Sequence, residues 1–312
     1  MKKITLPPIF LAMNANYMPK EFDGNIFHYT SPQGFQSILF GDRLDTVLWA
    51  SRYDCLNDSS EGSVAEEVFK ETVQELFEQQ TINEEQYKLF SSVKTAKTIL
   101  IYREINGDLK FERVECDRYI CSFSKDKDSL AMWNYYTKGN RYEGFNIGFH
   151  SQHLKQELED YFIGTNVSLN VYPVIYKKSE QKELIKTTLL IIKDLYSKEE
   201  SLRIKSILSS RLVDWGLIFK KEYFEHEKEV RIIINVSKKE TRIPIQYRIN
   251  SGYVIPYIQL KLEKYNVSYV TLGPLQYEER NLKHQVGVMK EMLKSTGYNL
   301  ANVDYSKIPI RY

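Results

Sequence analysis

The stretch "EKEVRIIINV" (residues 227–236) constrains the fold most. Three β-branched isoleucines follow a valine and an arginine, which is strand composition. Residues two apart on a strand share a face. Val230, Ile232 and Ile234 therefore make an apolar side that needs a covering layer, while Glu227, Glu229 and Arg231 line the other side. A strand of this kind does not stand alone. Further strands are read in "IFHYTS" (26–31), "TVLWAS" (46–51), "RYICSFS" (118–124), "EGFNIGFH" (143–150), "LNVYPVIY" (169–176), "YRIN" (247–250), "YVIPYIQL" (253–260) and "VSYVTLG" (267–273). Pro173 suggests an edge or a bulge in its strand.

Helical periodicity separates these strands. "PQGFQSILFGDRL" has Pro32 in its first turn and Gly41 near its end. Residues 61 to 105 are helical in pattern, with Val64, Val68, Val73, Leu76 and Phe77 as core contacts. "DSLAMWNYYTKG" reads as a helix with Asp128 or Ser129 at its start and Gly139 after its end. Residues 179 to 213 form one or two helices, and "YEERNLKHQVGVMKEMLKSTG" another. Strands far apart in sequence, with helices grouped between them, predict an α+β fold in a single domain over residues 1–312. Helical insertions are expected near 61–105 and 179–213.

Charge and cysteine usage narrow the function classes. The chain carries 43 basic and 41 acidic residues, net +2, so no global field draws it to nucleic acid or an anionic membrane. Cys55, Cys116 and Cys121 have no C-x-x-C spacing, which argues against a disulfide framework or zinc site and fits a reducing cytoplasm. The start "MKKITLPPIFLAMNAN" mimics a secretory signal, but Pro7 and Pro8 interrupt its apolar stretch. No apolar run reaches the roughly 18 residues of a membrane span. A cytoplasmic location without membrane attachment is expected.

Motifs for several chemistries are missing. There is no H-E-x-x-H, G-x-S-x-G, Walker loop or G-x-G-x-x-G. "HSQH" puts His150 and His153 at a strand-to-helix junction, where their rings are expected on different faces, and no metal is expected. Three stretches hold candidate chemistry. In "FEHEKEVRI", Glu227 and Glu229 raise one another's pKa while Arg231 keeps one ionised; such a carboxylate can stabilise positive charge developing on a sugar ring. A surface salt bridge would explain the same pattern. In "YICSFSKDKDSLAMWNYYTKG", a helix presents Met132, Trp133, Tyr135 and Tyr136; core packing accounts for some, and a planar ligand could stack on another. In "WASRYDCLNDSSEG", Asn57, Asp58 and Glu61 are explained as the start of a helix.

The stretches "FHYTS", "SRYDCLNDSSEG", "CSFSKDKDSLAMWNYYTKGNRYEGFNIGF", "VIYKK", "FEHEKEVRI" and "SKIPIRY" occur in an order that resembles the bacterial domain-of-unknown-function family numbered 2971. That resemblance implies a soluble bacterial protein, often found in mobile or defence-related contexts. More distantly, a strand with His28-Tyr29-Thr30, then an aromatic segment, then a glutamate leading into a strand is similar to the ADP-ribosyltransferase plan. It implies a mixed, mainly antiparallel split-sheet core. It also implies NAD as substrate, with His28 holding a ribose and Tyr29 and Thr30 beside it. Trp133, Tyr135 or Tyr136 would stack on nicotinamide; Glu229 would be the catalytic carboxylate, Glu227 its partner and Arg231 a supporting charge. The aromatic segment is helical here rather than an S-T-S strand, and a long helical insertion precedes the glutamates.

These expectations converge on an ADP-ribosyltransferase-like enzyme acting on a protein or nucleic-acid acceptor, as a toxin or antiphage effector. Two alternatives come from other classes. One is a metal-independent nuclease using His28 and Glu229 as acid and base, with Arg231 holding phosphate. The other is a non-enzymatic sensing module that binds a defence-system partner.

Overall fold

A computed structural model describes residues 17–56, 61–95, 98–105, 108–137, 143–250, 252–274, 279–299 and 302–309. The chain divides into two compact units, each assembled from separate segments. The smaller comprises Met1–Lys20, Asn57–Asp117 and Val174–Phe224; the larger comprises Glu21–Leu56, Arg118–Pro173 and Glu225–Tyr312. The polar loop 57–60 and Gly139 of the sequence analysis lie outside the described residues.

The smaller unit is mainly helical. Its helices are α2 (Glu61–Glu78), α3 (Glu84–Ser91), α6 (Lys178–Asp194) and α7 (Ser201–Gly216). Val64, Val68, Val73 and Leu76 of α2 are buried, as their spacing predicts, and Phe77 stacks on Tyr87 at 4.4 Å. Helix α3 opens with a capping box between Asn83 and Gln86. Lys178 and Lys182 pair with Glu71 and Glu75 across α2 and α6 at 2.6 to 3.1 Å. Residues 98–105 are not helical: Thr98–Ile105 is strand β3, antiparallel to the first part of β4 (Asp108–Ser124). β-branched and aromatic residues in "TILIY" and the facing strand override the helical pattern there.

The larger unit carries the sheet. Its strands are β1 (Asn25–Thr30), β2 (Asp45–Arg52), the end of β4, β5 (Phe145–His150), β6 (Val167–Pro173), β7 (Glu229–Ser237), β8 (Gln246–Asn250), β9 (Tyr253–Glu263), β10 (Tyr269–Leu272) and β11 (Asn302–Tyr305). The order is β11-β10-β5-β1-β4-β2-β9-β8, with β7 also on β4 and β6 on β7. β10 and β11 run parallel. The pairs β1–β4, β1–β5, β5–β10, β2–β4, β2–β9, β8–β9 and β6–β7 run antiparallel. Helices with a mixed, mainly antiparallel sheet agree with the α+β expectation, but the strands form one open sheet rather than the split core that the resemblance implies.

Helices α1 (Pro32–Phe40), α5 (Ser151–Tyr161) and α8 (Glu279–Ser295) supply Phe35, Leu39, Leu154, Leu158, Met289 and Leu293 to the main core of this unit. Val230, Ile232 and Ile234 are in the same core, so the apolar side of β7 is covered as its alternation requires. Ser31 caps α1 through Gly34 N–H at 3.1 Å, with Pro32 in the first turn. A second, smaller cluster holds Phe27 and Tyr29 of β1 with Met132 and Trp133 of α4 (Leu130–Tyr136). Gly148 of β5 pairs with Phe27 on one side and Tyr269 on the other and leaves room for their rings to meet edge to face: an added Cβ would stand 2.8 Å from Tyr269 Cβ and 2.9 Å from the Phe27 ring. Among the described residues, no helix is long and apolar enough to cross a membrane.

Candidate active site

Strand β4 is shared between neighbours. Ser124 pairs with Phe27 of β1, whereas Ile120 and Tyr119 pair with Ser51 and Arg52 of β2. Ser122 falls between the two ladders, and its carbonyl accepts a hydrogen bond from His28 Nδ1 at 3.1 Å. A carbonyl only accepts, so Nδ1 carries the proton and Nε2 holds the lone pair of the neutral ring. Burial pulls the His28 pKa below the ordinary imidazole value, and the Ser122 bond only partly offsets it. Edge-on contact with Phe123 at 5.6 Å fixes the ring.

Glu229 reaches the same place from the start of β7. Glu229 is 4% exposed and Arg231 1% exposed. Their two-residue spacing on the strand puts both side chains on one face and allows a bidentate pair. Nε donates to Oε1 at 2.9 Å and Nη2 to Oε2 at 3.0 Å. Glu227 is not on the strand. It ends a 3-10 turn (Glu222–Glu227), and Lys228, at φ +45°, redirects the chain into β7. Strand alternation thus does not place Glu227, as the sequence analysis expected. Three bonds attach this turn to the end of β4 instead: Ser124 Oγ to the Glu227 carbonyl at 2.8 Å, Lys125 N–H to the Lys228 carbonyl at 2.9 Å, and Lys228 Nζ to Asp126 at 3.0 Å.

A cavity of about 20 Å³ lies where these strands meet, lined by Phe27, His28, Tyr29, Ser122, Phe123, Met132, Tyr136, Glu227 and Glu229. That is room for about one water. His28, Tyr136, Glu227 and Glu229 are therefore brought together. Tyr29 contributes its ring, while its hydroxyl donates to the Asp126 carbonyl at 2.7 Å and accepts from Ser129 N–H at 3.0 Å. Burial and the nearby Asp126 and Asp128 charges push its pKa well up, so it stays a neutral hydrogen-bonding group.

Other expected residues lie off the cavity. Trp133 is fully buried, edge-on to Tyr29 at 4.6 Å, and its indole N–H donates to Asp128 at 2.8 Å. It is a packing residue: helix phase turns it into the small cluster, whereas Tyr136, three positions on, is 42% exposed on the cavity rim. Tyr135 points to solvent and meets His226 Nε2 at 3.0 Å. Thr30 is buried against Gly34 of α1, away from the lining. Arg231 supports Glu229 from behind and does not line the cavity.

Asp128 does not cap α4, whose N-cap is Ser129 without a side-chain bond. Asp128 instead accepts from Trp133, from Ser306 Oγ at 2.6 Å and from Lys307 N–H at 2.9 Å, so the "SKI" stretch is tied to the start of the aromatic helix. Nothing in the local sequence signals Ser122 or Ser124. Their roles follow from how β4 is divided between its neighbours. His150 and His153 do not diverge as expected, since their rings lie 4.7 Å apart. Among the described residues, no group of three or more His, Cys, Asp or Glu side chains is placed to hold a metal.

The lining has a clear electrostatic sense. Among the described residues it presents two glutamates, one of them paired with Arg231 behind it, a neutral imidazole and aromatic faces, with no lysine or arginine in the lining itself. Such a site favours a cationic or electron-poor group and repels a phosphodiester. No curated protein and no solved structure matches the chain. The model of a family described as a protein of unknown function (DUF2971) does match, over residues 132–232, about a third of the 312 residues. The matched stretch runs from Met132 of α4 to Ile232 of β7 and spans Tyr136, Glu227, Glu229 and Arg231; over that stretch the chain is similar to that family of unknown function.

Proposed function

We infer that the chain is an ADP-ribosyltransferase-like enzyme that cleaves the nicotinamide–ribose bond of NAD and passes the ADP-ribosyl group to a protein or nucleic-acid acceptor. The observation that carries this reading is the cavity where His28, Tyr136, Glu227 and Glu229 meet with no cationic side chain among them. NAD presents a positively charged nicotinamide ring there, and bond cleavage moves positive charge onto the ribose. A carboxylate fixed by a bidentate arginine is oriented before the charge develops, which is the condition for effective electrostatic stabilisation. His28 Nε2, with its lone pair outward, accepts from a ribose hydroxyl, and Tyr136 offers its ring to nicotinamide. Nicotinamide needs more than 20 Å³, so in this reading the exposed Tyr136 ring moves aside to admit it.

The nuclease reading fares worse on the same geometry. It needs Arg231 for phosphate, but that guanidinium is buried and engaged by Glu229, and the two glutamates would face a polyanion. Incubation of the full chain with NAD, with and without lysate, tests the proposal by chromatography of released nicotinamide. Release by the wild type and its loss in Glu229→Gln are expected. Equal release by both, or none from either, removes the reading.

A further inference from the structure

On β2, β4, β8 and β9 of the larger unit, the face opposite the main core has its own composition. Ser51 pairs with Ile120 on one side and Tyr257 on the other, and Tyr257 pairs with Gln246. Paired residues share a face, and so do residues two apart. Arg118, Ile120, Trp49, Ser51, Tyr257, Gln246 and Arg248 therefore lie on one side of the sheet. Leu48, Ala50, Tyr119, Cys121, Ile258 and Leu260 lie on the other, in the core. No aspartate or glutamate stands at any of those seven positions.

Both arginines on this face are incompletely satisfied. Arg118 is 8% exposed, and its Nε and one terminal nitrogen are buried without a hydrogen-bond partner. Arg248 reaches across β9 to donate to Ser51 Oγ at 2.8 Å, leaving its own buried Nε unpartnered. Burial holds the Arg248 pKa below its ordinary value. Native proteins rarely bury donors in this way, and an unpartnered guanidinium points to an anion that completes it. Beside the arginines is an aromatic platform. Trp49 stacks on Tyr257 at 4.5 Å, and the Arg248 guanidinium lies 5.7 Å from the Trp49 ring centre. Tyr257 is buried beneath, while Trp49 is 39% exposed and has a free edge toward solvent.

We propose that this face is a second ligand site, for a phosphorylated compound with a planar ring, a nucleotide in chemical class. Arg118 and Arg248 take the phosphate and Trp49 takes the ring. The site shares no residue with the glutamate cavity and does not depend on NAD cleavage.

Tryptophan fluorescence of the full chain tests it, because Trp133 and Trp215 are fully buried and Trp49 alone of the three is exposed. Titration with ADP is expected to change the emission saturably. Inorganic pyrophosphate competes with ADP, and adenosine binds at least about tenfold more weakly than ADP. Arg118→Gln and Arg248→Gln each weaken ADP at least about tenfold, while Glu229→Gln leaves its affinity unchanged. Trp49→Phe loses the optical signal but keeps pyrophosphate binding by calorimetry. Should Arg118→Gln fail to fold, the half-buried Arg248→Gln gives the same reading. Absence of saturable ADP and pyrophosphate binding overturns the proposal. So does binding that the Arg248 variant leaves intact, or that Glu229→Gln abolishes.

Discussion

Replacing Glu229 by alanine strands a charge. The guanidinium of Arg231 is 1% exposed and gives Nε and Nη2 to the two carboxylate oxygens. Truncation leaves these donors facing a small void. Breaking a buried pair from one side typically costs about 3–5 kcal/mol, because the surviving charge loses its bidentate carboxylate in a place that water does not reach. With a urea dependence of roughly 3 kcal/mol per molar, the midpoint falls by about 1–1.7 M. Glu229→Gln keeps one acceptor oxygen and is expected to lose about half as much. The double variant Glu229→Leu/Arg231→Met removes both charges and is expected near wild type, within about 1–2 kcal/mol. Urea unfolding followed by tryptophan emission measures all three, since Trp133 lies in the same unit. If the alanine variant lies within about 0.5 kcal/mol of wild type, or the double variant is the least stable, the buried-pair argument is wrong.

Four further outcomes follow from the geometry. Ser124→Ala removes the hydroxyl that bonds both the Glu227 carbonyl and Asp126 N–H, and about 1–3 kcal/mol of stability is expected to go with it in thermal or urea unfolding. Trp133→Ala is expected to cost about 3–5 kcal/mol, whereas Tyr136→Ala, on the exposed rim, changes stability by less than about 1 kcal/mol but lowers nicotinamide release; equal effects on both would contradict the packing assignment. His28 has a folded pKa below its unfolded value of about 6.5, so its contribution is complete above that pH and is lost as pH falls toward the folded pKa. Urea midpoints at pH 7.5 and 5.5 should therefore differ more for wild type than for His28→Asn. Burial pushes the Cys121 thiol up to about 12 and Cys116 is buried, so a thiol reagent should modify the partly exposed Cys55 first; rapid labelling of Cys121 in the folded protein would contradict this.

Much of the fold and part of the site are legible in the sequence. Alternation in "EVRIII" separates the Glu229–Arg231 face from Val230, Ile232 and Ile234, because period-two geometry leaves little choice once one side is apolar. The same logic gives β1 and β5. Helix phase was less informative. Met132, Trp133, Tyr135 and Tyr136 all look able to stack, and only the position of β1 decides that Trp133 is enclosed while Tyr136 reaches the rim. Glu227 reached the cavity by a route that sequence could not foresee, a 3-10 turn and a positive φ at Lys228. The strand at 98–105 is hard to see in the sequence because a helical pattern upstream masks its β-branched content. The Arg118–Arg248 face was invisible because its members come from strands whose neighbours are set by topology.

The order in which the site residues leave the ribosome has its own consequence. His28 and Ser122 are made early, but Glu227 and Glu229 follow only after the 174–224 segment of the smaller unit. Closing these contacts requires bringing together strands separated by roughly one to two hundred residues, which makes their assembly a late and slow event. A chain released before residue 229 contains the imidazole and the aromatic rim but no fixed carboxylate. The carboxylate–arginine pair of the cavity is thus among the last of its parts to be made.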